Sequence, residues 1–116
     1  MSDDVLDLDE FKDRVQDDTE LLLELLDIYT ADFKEKRPKF DQILQSGNAD
    51  ELRSLAHSLK GASGNISAKL LRETFFQLEE KGKSGNISGA DELLKVVDER
   101  YAALEERITS VKQELA

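Results

Sequence analysis

Residues 56–67, AHSLKGASGNIS, contain the only histidine of the chain, His57, followed by Lys60 and Gly61. An imidazole with its ordinary pKa of about 6.5 is largely neutral and nucleophilic at neutral pH. Attack by one ring nitrogen on a phosphoryl group would form a covalent phosphoramidate. Phosphoryl transfer depends on positioning and on cations beside the phosphoryl oxygens. Lys60, one helical turn after His57, could supply such a cation.

Helical spacing places His57 away from the core. At about 100° per residue, the small and apolar residues of this segment share one face: Leu52, Leu55, Ala56, Leu59, Ala62 and Ser63. His57 lies roughly 140° from the centre of that face, which argues against a buried core histidine. An idle surface histidine remains an alternative, but Gly61 and Gly64 flank His57, and each glycine in a helix interior costs about 1 kcal/mol relative to alanine. Gly61 therefore predicts a bare patch for a close approach, whereas Gly64 could equally end the helix.

Charge around His57 also departs from the rest of the chain. Residues 52–72 contain no Asp or Glu, although the chain has 26 acidic residues among 116. The same stretch carries four basic residues: Arg53, Lys60, Lys69 and Arg72. This pattern predicts a local anion site beside His57, with Arg53, Ser54 and Gly64 as candidate partner-binding residues. The alternative is a basic stretch that balances acidic neighbouring helices.

The sequence lacks the residues that other common catalytic and cofactor-binding sites require. Cysteine is absent, which excludes disulfides, thiolate nucleophiles and thiolate metal sites. The sequence has no GxSxG, HExxH or GxxxxGK[ST] motif, and the glycines at 61 and 64 follow no predicted strand. We therefore expect no bound cofactor, metal or nucleotide.

Composition predicts one acidic domain. The net charge of −10 disfavours nucleic acids and anionic membranes as partners. No apolar run approaches the roughly 20 residues that span a bilayer, and the acidic N-terminus lacks the basic start of a signal peptide. We expect a single domain over residues 1–116 that is cytoplasmic and monomeric.

Apolar periodicity is helical throughout and predicts an all-α fold. The expected segments are a short helix over 7–14, a long helix after Asp17 and Asp18, helices over 49–64 and 68–81, and a last helix capped by the pair Ser88 and Asp91. Pro38 is expected to kink or break the long helix near Arg37. Short connections then give an antiparallel up-and-down four-helix bundle with an additional short N-terminal helix.

The segment His57 to Ser63 resembles the core pattern of histidine phosphotransfer (HPt) domains of two-component phosphorelays. That pattern is a histidine, any residue, an aliphatic residue, a lysine or arginine, a glycine and then small residues. The flanking segments GNADELRSLAHSLKG, FFQLEEKGKSGN and TELLLELLDIYTADF are also similar to the family, so the resemblance covers most of the chain. One residue departs from it: Ser67 stands ten residues after the histidine, where the family commonly has glycine.

The resemblance implies a role for each matching residue. His57 would be phosphorylated on Nε2, Lys60 would stabilise the phosphoryl oxygens, and Gly61 would leave room for a receiver domain. The position of Glu79 often carries a polar group that hydrogen-bonds the other ring nitrogen. A solvated helix carboxylate is the equal alternative for Glu79.

The resemblance further implies a carrier that accepts a phosphoryl group from a receiver-domain aspartate, or from a kinase, and transfers it to a response-regulator aspartate. Its partners would be receiver domains or a hybrid sensor histidine kinase, and any magnesium would belong to the partner. Whether such a phosphotransfer intermediate counts as an enzyme is left open, because no kinase activity of its own is implied. A non-catalytic helical adaptor and a module excised from a larger hybrid sensor kinase remain alternatives.

Overall fold

The computed structural model describes the backbone of residues 2–115 and the side chains of residues 4–115. Within that range every regular element is a helix: α1 (Ser2–Val5), α2 (Leu8–Arg14), α3 (Thr19–Ser46), α4 (Ala49–Asn65), α5 (Lys69–Ser84) and α6 (Ala90–Leu115). The all-α prediction is confirmed. No helix in the described part of the chain is long and apolar enough to cross a membrane.

The four long helices α3–α6 form the bundle, and the short connections between them make neighbours antiparallel. Their apolar faces enclose a core in which the rings of Phe33 and Tyr101 stack with centroids 3.7 Å apart. The predicted short N-terminal helix is α2, which buries Phe11 in the same core. The structure adds α1, a further short helix that the sequence did not indicate.

Side-chain caps set the starts of three helices. Oδ1 of Asp18 accepts from the backbone N–H of Leu21 at 3.0 Å, and Oδ1 of Asn48 accepts from Glu51 at 3.1 Å. Asp7 caps α2 in the same way rather than forming its first residue. These caps satisfy N–H groups that have no partner within the helix, and they fix where α2, α3 and α4 begin.

Pro38 was predicted to kink or break the long helix near Arg37, and the break is wrong because α3 runs continuously through it. Pro38 lies inside the continuous α3, and its ring is exposed. A proline removes one backbone hydrogen bond, but the flanking residues anchor the helix on both sides of it. Phe40 is fully buried, and Arg37 donates to both carboxylate oxygens of Asp98 on α6, at 2.7 and 2.9 Å.

The boundaries of the last two helices also differ from the prediction. Helix α5 continues past the predicted end to Ser84. Gly82 lies within it and packs against α4, where a Cβ on Gly82 would lie 2.6 Å from the backbone nitrogen of Arg53. Helix α6 begins at Ala90, and the residue before it, Gly89, is in the left-handed conformation. The N-cap position is therefore Gly89 and not Ser88, so the predicted capping pair of Ser88 and Asp91 lies one residue too early.

Candidate functional site

His57 lies on the outer face of α4. Its side chain is 66% exposed, whereas Ala56 and Leu59 beside it are completely buried. The outward position predicted from the helical spacing is confirmed. One turn of helix therefore holds the ring at a fixed place on the surface, because its neighbours anchor the backbone in the core.

The carboxylate of Glu79 on α5 contacts two side chains on the outer face of α4, His57 and Lys60. Its Oε2 lies 2.7 Å from Nδ1 of His57, and its Oε1 lies 2.7 Å from Nζ of Lys60. The contact with Lys60 is an ion pair without hydrogen-bond geometry, so Oε1 of Glu79 could still accept a hydrogen bond. The Glu79 side chain is only 4% exposed. It is therefore not the solvated helix carboxylate that the sequence left as an alternative.

Lys60 and His57 keep Glu79 ionised. The ammonium of Lys60 is the largest influence that lowers the pKa of Glu79; burial opposes it, and the bond to His57 adds to the lowering. A carboxylate without a proton only accepts hydrogen bonds, so Nδ1 of His57 must be the donor. In the neutral ring, Nε2 then carries the free lone pair of a side chain that is largely exposed. This geometry provides an accessible nitrogen nucleophile.

The two glycines near His57 differ in their surroundings. A Cβ on Gly61 would meet no atom within 4 Å, so the chain itself does not require glycine there. A Cβ on Gly64 would lie 3.2 Å from Cδ and Nε of Arg72, whose side chain crosses over it. Gly64 is the last residue but one of α4, and its carbonyl accepts from the backbone N–H groups of Ile66 and Ser67, so it lies in the final turn of the helix. A side chain at position 64 would therefore be tight only against the exposed side chain of Arg72, whereas Gly61 leaves an open surface one turn from His57.

Arg53 and Ser54 lie one turn before His57, apart from the carboxylate of Glu79. Both line a groove of about 870 Å³ between the end of α3 and the start of α4. The guanidinium of Arg53 lies 3.7 Å from Asp50 of its own helix. The structure thus groups His57, Lys60 and Glu79 closely and leaves Arg53 and Ser54 at the edge of this surface.

Phe76 is a site residue that the sequence reasoning missed. It lies on α5 one turn before Glu79, is 46% exposed, and has its ring centroid 5.5 Å from Nζ of Lys60. Helical spacing places the fully buried Phe75 on the inner face of α5 and leaves Phe76 outside that face. An aromatic residue on the outer face was therefore the available signal.

On the α3 side, Lys36 donates to Oγ of Ser58 at 2.8 Å and pairs with Asp32. No pattern in the sequence indicates that α3 brings a cation next to Ser58, the residue after His57. In the part of the chain with described side chains, no three carboxylate, imidazole or thiolate groups cluster closely enough to hold a metal.

Ser67, the residue that departs from the family pattern, adopts the left-handed conformation with φ of +62°. Its Oγ donates to Oε1 of Glu10 at 2.8 Å, and its carbonyl accepts from the backbone N–H of Asp7 at 3.0 Å. Bonds from Ser67 and Lys69 hold the pKa of Glu10 below its ordinary value. These bonds tie α2 to the turn between α4 and α5 and offset the backbone strain of a non-glycine residue.

Comparison with known proteins agrees with this geometry. The model of the Hpt domain family matches residues 8–113. Among solved structures, histidine-containing phosphotransfer protein B (HptB) from Pseudomonas aeruginosa PAO1 superimposes with a TM-score of 0.80 at 28% sequence identity. The match covers 94% of this chain and 92% of that one. No curated protein matches the chain significantly in sequence.

Proposed function

The chain belongs to the Hpt domain family, and from that premise we propose that His57 carries phosphoryl groups between aspartates of receiver domains in a phosphorelay. A kinase could also be the donor. The observation that carries the proposal is the 2.7 Å contact between Nδ1 of His57 and Glu79, which leaves Nε2 as the nitrogen free to attack in a largely exposed ring.

The proposed reaction is a direct displacement at phosphorus. The lone pair of Nε2 attacks the phosphoryl group of an aspartyl phosphate, and the bond from phosphorus to the aspartate oxygen breaks with its electrons going to the carboxylate. Lys60, held beside the ring by Glu79, supplies positive charge for the equatorial oxygens. The reverse displacement passes the group to the next receiver.

The proposed docking surface surrounds His57 on three sides. Gly61 offers open space for a partner backbone, and Phe76 provides an exposed apolar surface next to Lys60. Arg53 and Ser54 border the surface on the side of the α3–α4 groove. An aromatic residue at the centre of a patch with a charged rim is a common arrangement at protein interfaces.

The test is phosphotransfer from a phosphorylated receiver domain to the purified protein and to His57→Gln. We expect the wild type to gain a phosphoryl group that is labile in acid and stable in alkali. The variant should remain unlabelled while its far-UV circular dichroism stays helical. A non-catalytic adaptor would instead bind its partner equally well with and without His57 and would acquire no phosphoryl group.

A further inference from the structure

Four basic residues occupy the stretch 52–72, which has no acidic residue, and the structure gives three of them a carboxylate partner. The pairs are Arg53 with Asp50 at 3.7 Å, Lys60 with Glu79 at 2.7 Å, and Lys69 with Asp7 at 2.9 Å. The fourth residue, Arg72, is exposed and makes no ion pair or side-chain hydrogen bond with any described side chain, although the chain has 26 acidic residues. The charge of Arg72 is therefore left for solvent or for a partner.

Arg72 also stands where its own helix disfavours a cation. It closes the first turn of α5, which contains no acidic residue and follows Ala68 without a side-chain cap. The N–H groups at the start of a helix carry partial positive charge, so Asp or Glu stabilises that end and Arg does not. Neither an internal ion pair nor the helix dipole accounts for a guanidinium at this position.

The side chain of Arg72 lies across α4 on the face that carries His57. Gly64 follows His57 by seven residues, which at about 100° per residue returns to nearly the same face, about 10 Å further along the axis. Cδ and Nε of Arg72 lie 3.2 Å from the position that a Cβ on Gly64 would take, so the side chain crosses α4 there. Gly61 lies between the two positions and leaves the surface open. A partner that covers His57 and Gly61 therefore reaches Arg72 within the same interface.

The facing residues of α5 follow in the same order. Glu79 contacts His57, and Phe76, three residues earlier, lies beside Lys60. Arg72 comes one turn before Phe76, and both line a groove of about 470 Å³. The other charged residues lining this groove are Glu10, Arg14, Lys69 and Glu73. Glu10 pairs with both of the other bases, whereas Glu73 and Arg72 form no ion pair, so Arg72 is the cation of this groove that lacks a carboxylate partner among the described side chains.

Resting on the proposed function, we propose that Arg72 selects the receiver domain by binding a carboxylate on its surface, about 10 Å from the site of phosphoryl transfer. A guanidinium presents a planar fork of N–H donors that can form two parallel hydrogen bonds to one carboxylate. A receiver with Asp or Glu at the facing position is then favoured, and one with Lys or Arg there is rejected by like charge. Arg72 determines specificity and is not a catalytic residue, because its side chain lies over Gly64 and away from the ring.

The experiment compares the wild type with Arg72→Gln, Arg72→Lys and Lys95→Gln. Lys95 of α6 is the matched control because it is exposed, makes no ion pair with a described side chain, and does not line the groove. The probe is a receiver domain chosen by its binding to the wild type, so the choice does not presuppose transfer. Its dissociation constant is measured by calorimetry at low and at physiological salt, and single-turnover transfer is measured over a range of receiver concentrations.

We expect Arg72→Gln to bind the receiver about tenfold more weakly, the loss typical of one hydrogen bond between charged groups. Arg72→Lys should fall between the two, because an ammonium keeps the charge and loses the fork. Added salt should narrow the difference between wild type and Arg72→Gln. The transfer rate at saturating receiver should be the same in every variant. The free energy of unfolding of Arg72→Gln should equal or exceed that of the wild type, because a cation leaves the start of α5.

Equal binding of the receiver by wild type and Arg72→Gln would overturn the proposal. Equal weakening by Lys95→Gln would overturn it as well, since the attraction would then be nonspecific, and so would a slower transfer by Arg72→Gln at saturating receiver. Failure of the proposed function is a different result: the receiver binds with the expected dependence on Arg72, but no phosphoryl group reaches His57. If no receiver domain binds the wild type, both proposals are overturned.

Discussion

Oε1 of Glu79 and Nζ of Lys60 lie 2.7 Å apart and join α5 to α4 beside His57. The same carboxylate reaches Nδ1 of His57, so one buried side chain contacts both the imidazole and the adjacent ammonium group. Because Glu79 comes from a different helix, the site depends on how α4 and α5 pack. Substitutions can therefore separate residues that maintain this packing from residues that leave room for a partner.

Gly61→Ala should stabilise the fold and impair transfer. The added Cβ meets no atom of the chain, and alanine favours a helix over glycine by about 1 kcal/mol. The free energy of unfolding should rise by about that amount in chemical denaturation, while the rate of phosphotransfer from a receiver falls. A rate equal to the wild-type rate would show that Gly61 does not serve partner approach.

Gly82→Ala should have the opposite effect on stability. Its Cβ would lie 2.6 to 2.7 Å from the backbone and Cβ of Arg53, which forces α4 and α5 apart. Overpacking of this kind typically costs about 1–3 kcal/mol, measurable in the same denaturation experiments. A variant as stable as the wild type would contradict the close approach of the two helices at this residue.

Substitutions at Ser67 should distinguish backbone strain from side-chain bonding. Ser67→Ala keeps the left-handed conformation and loses the bond to Glu10, whereas Ser67→Gly loses the bond and relieves the strain. We expect the alanine variant to be less stable than the glycine variant by about 1 kcal/mol in thermal or chemical unfolding. Equal stability of the two variants would argue against strain at this turn.

Acid should remove the stabilisation that Glu79 provides. Its pKa in the folded chain is lowered from the ordinary value of 4.5, chiefly by Lys60. The contribution is therefore complete above the unfolded-state pKa and is lost as the pH falls through the lower folded-state pKa. The difference in unfolding free energy between wild type and Glu79→Gln should shrink below about pH 4.5. Glu80→Gln is the control, and a difference that stays constant down to about pH 2 would contradict the ion pair.

The sequence was sufficient for the parts of the site that depend on one helix. The spacing of apolar residues within α4 predicted that His57 faces outward. The low helix propensity of glycine singled out Gly61 as a residue that needs an explanation. The contact with Glu79 depends on the register of α5 against α4. No spacing within one helix reports that register, and only the family resemblance pointed to the contact. Phe76 was missed for the same reason, since its nearness to Lys60 is a contact between two helices.

Errors in the predicted fold came from treating local signals in isolation. Pro38 weakens a helix locally, but Phe40 and the Arg37–Asp98 pair hold α3 together through contacts with other helices. The predicted helix over 68–81 excludes Gly82, which lies within α5. In the structure, its missing side chain is what lets the Arg53 backbone come close.

The most direct measurement is to locate the phosphoryl group after transfer from a phosphorylated receiver domain. The protein is analysed by ³¹P and ¹⁵N NMR and by tandem mass spectrometry under alkaline conditions. The account predicts one phosphoryl group per chain, bonded to Nε2 of His57. A phosphoryl group on Nδ1, on another residue, or on none would contradict it.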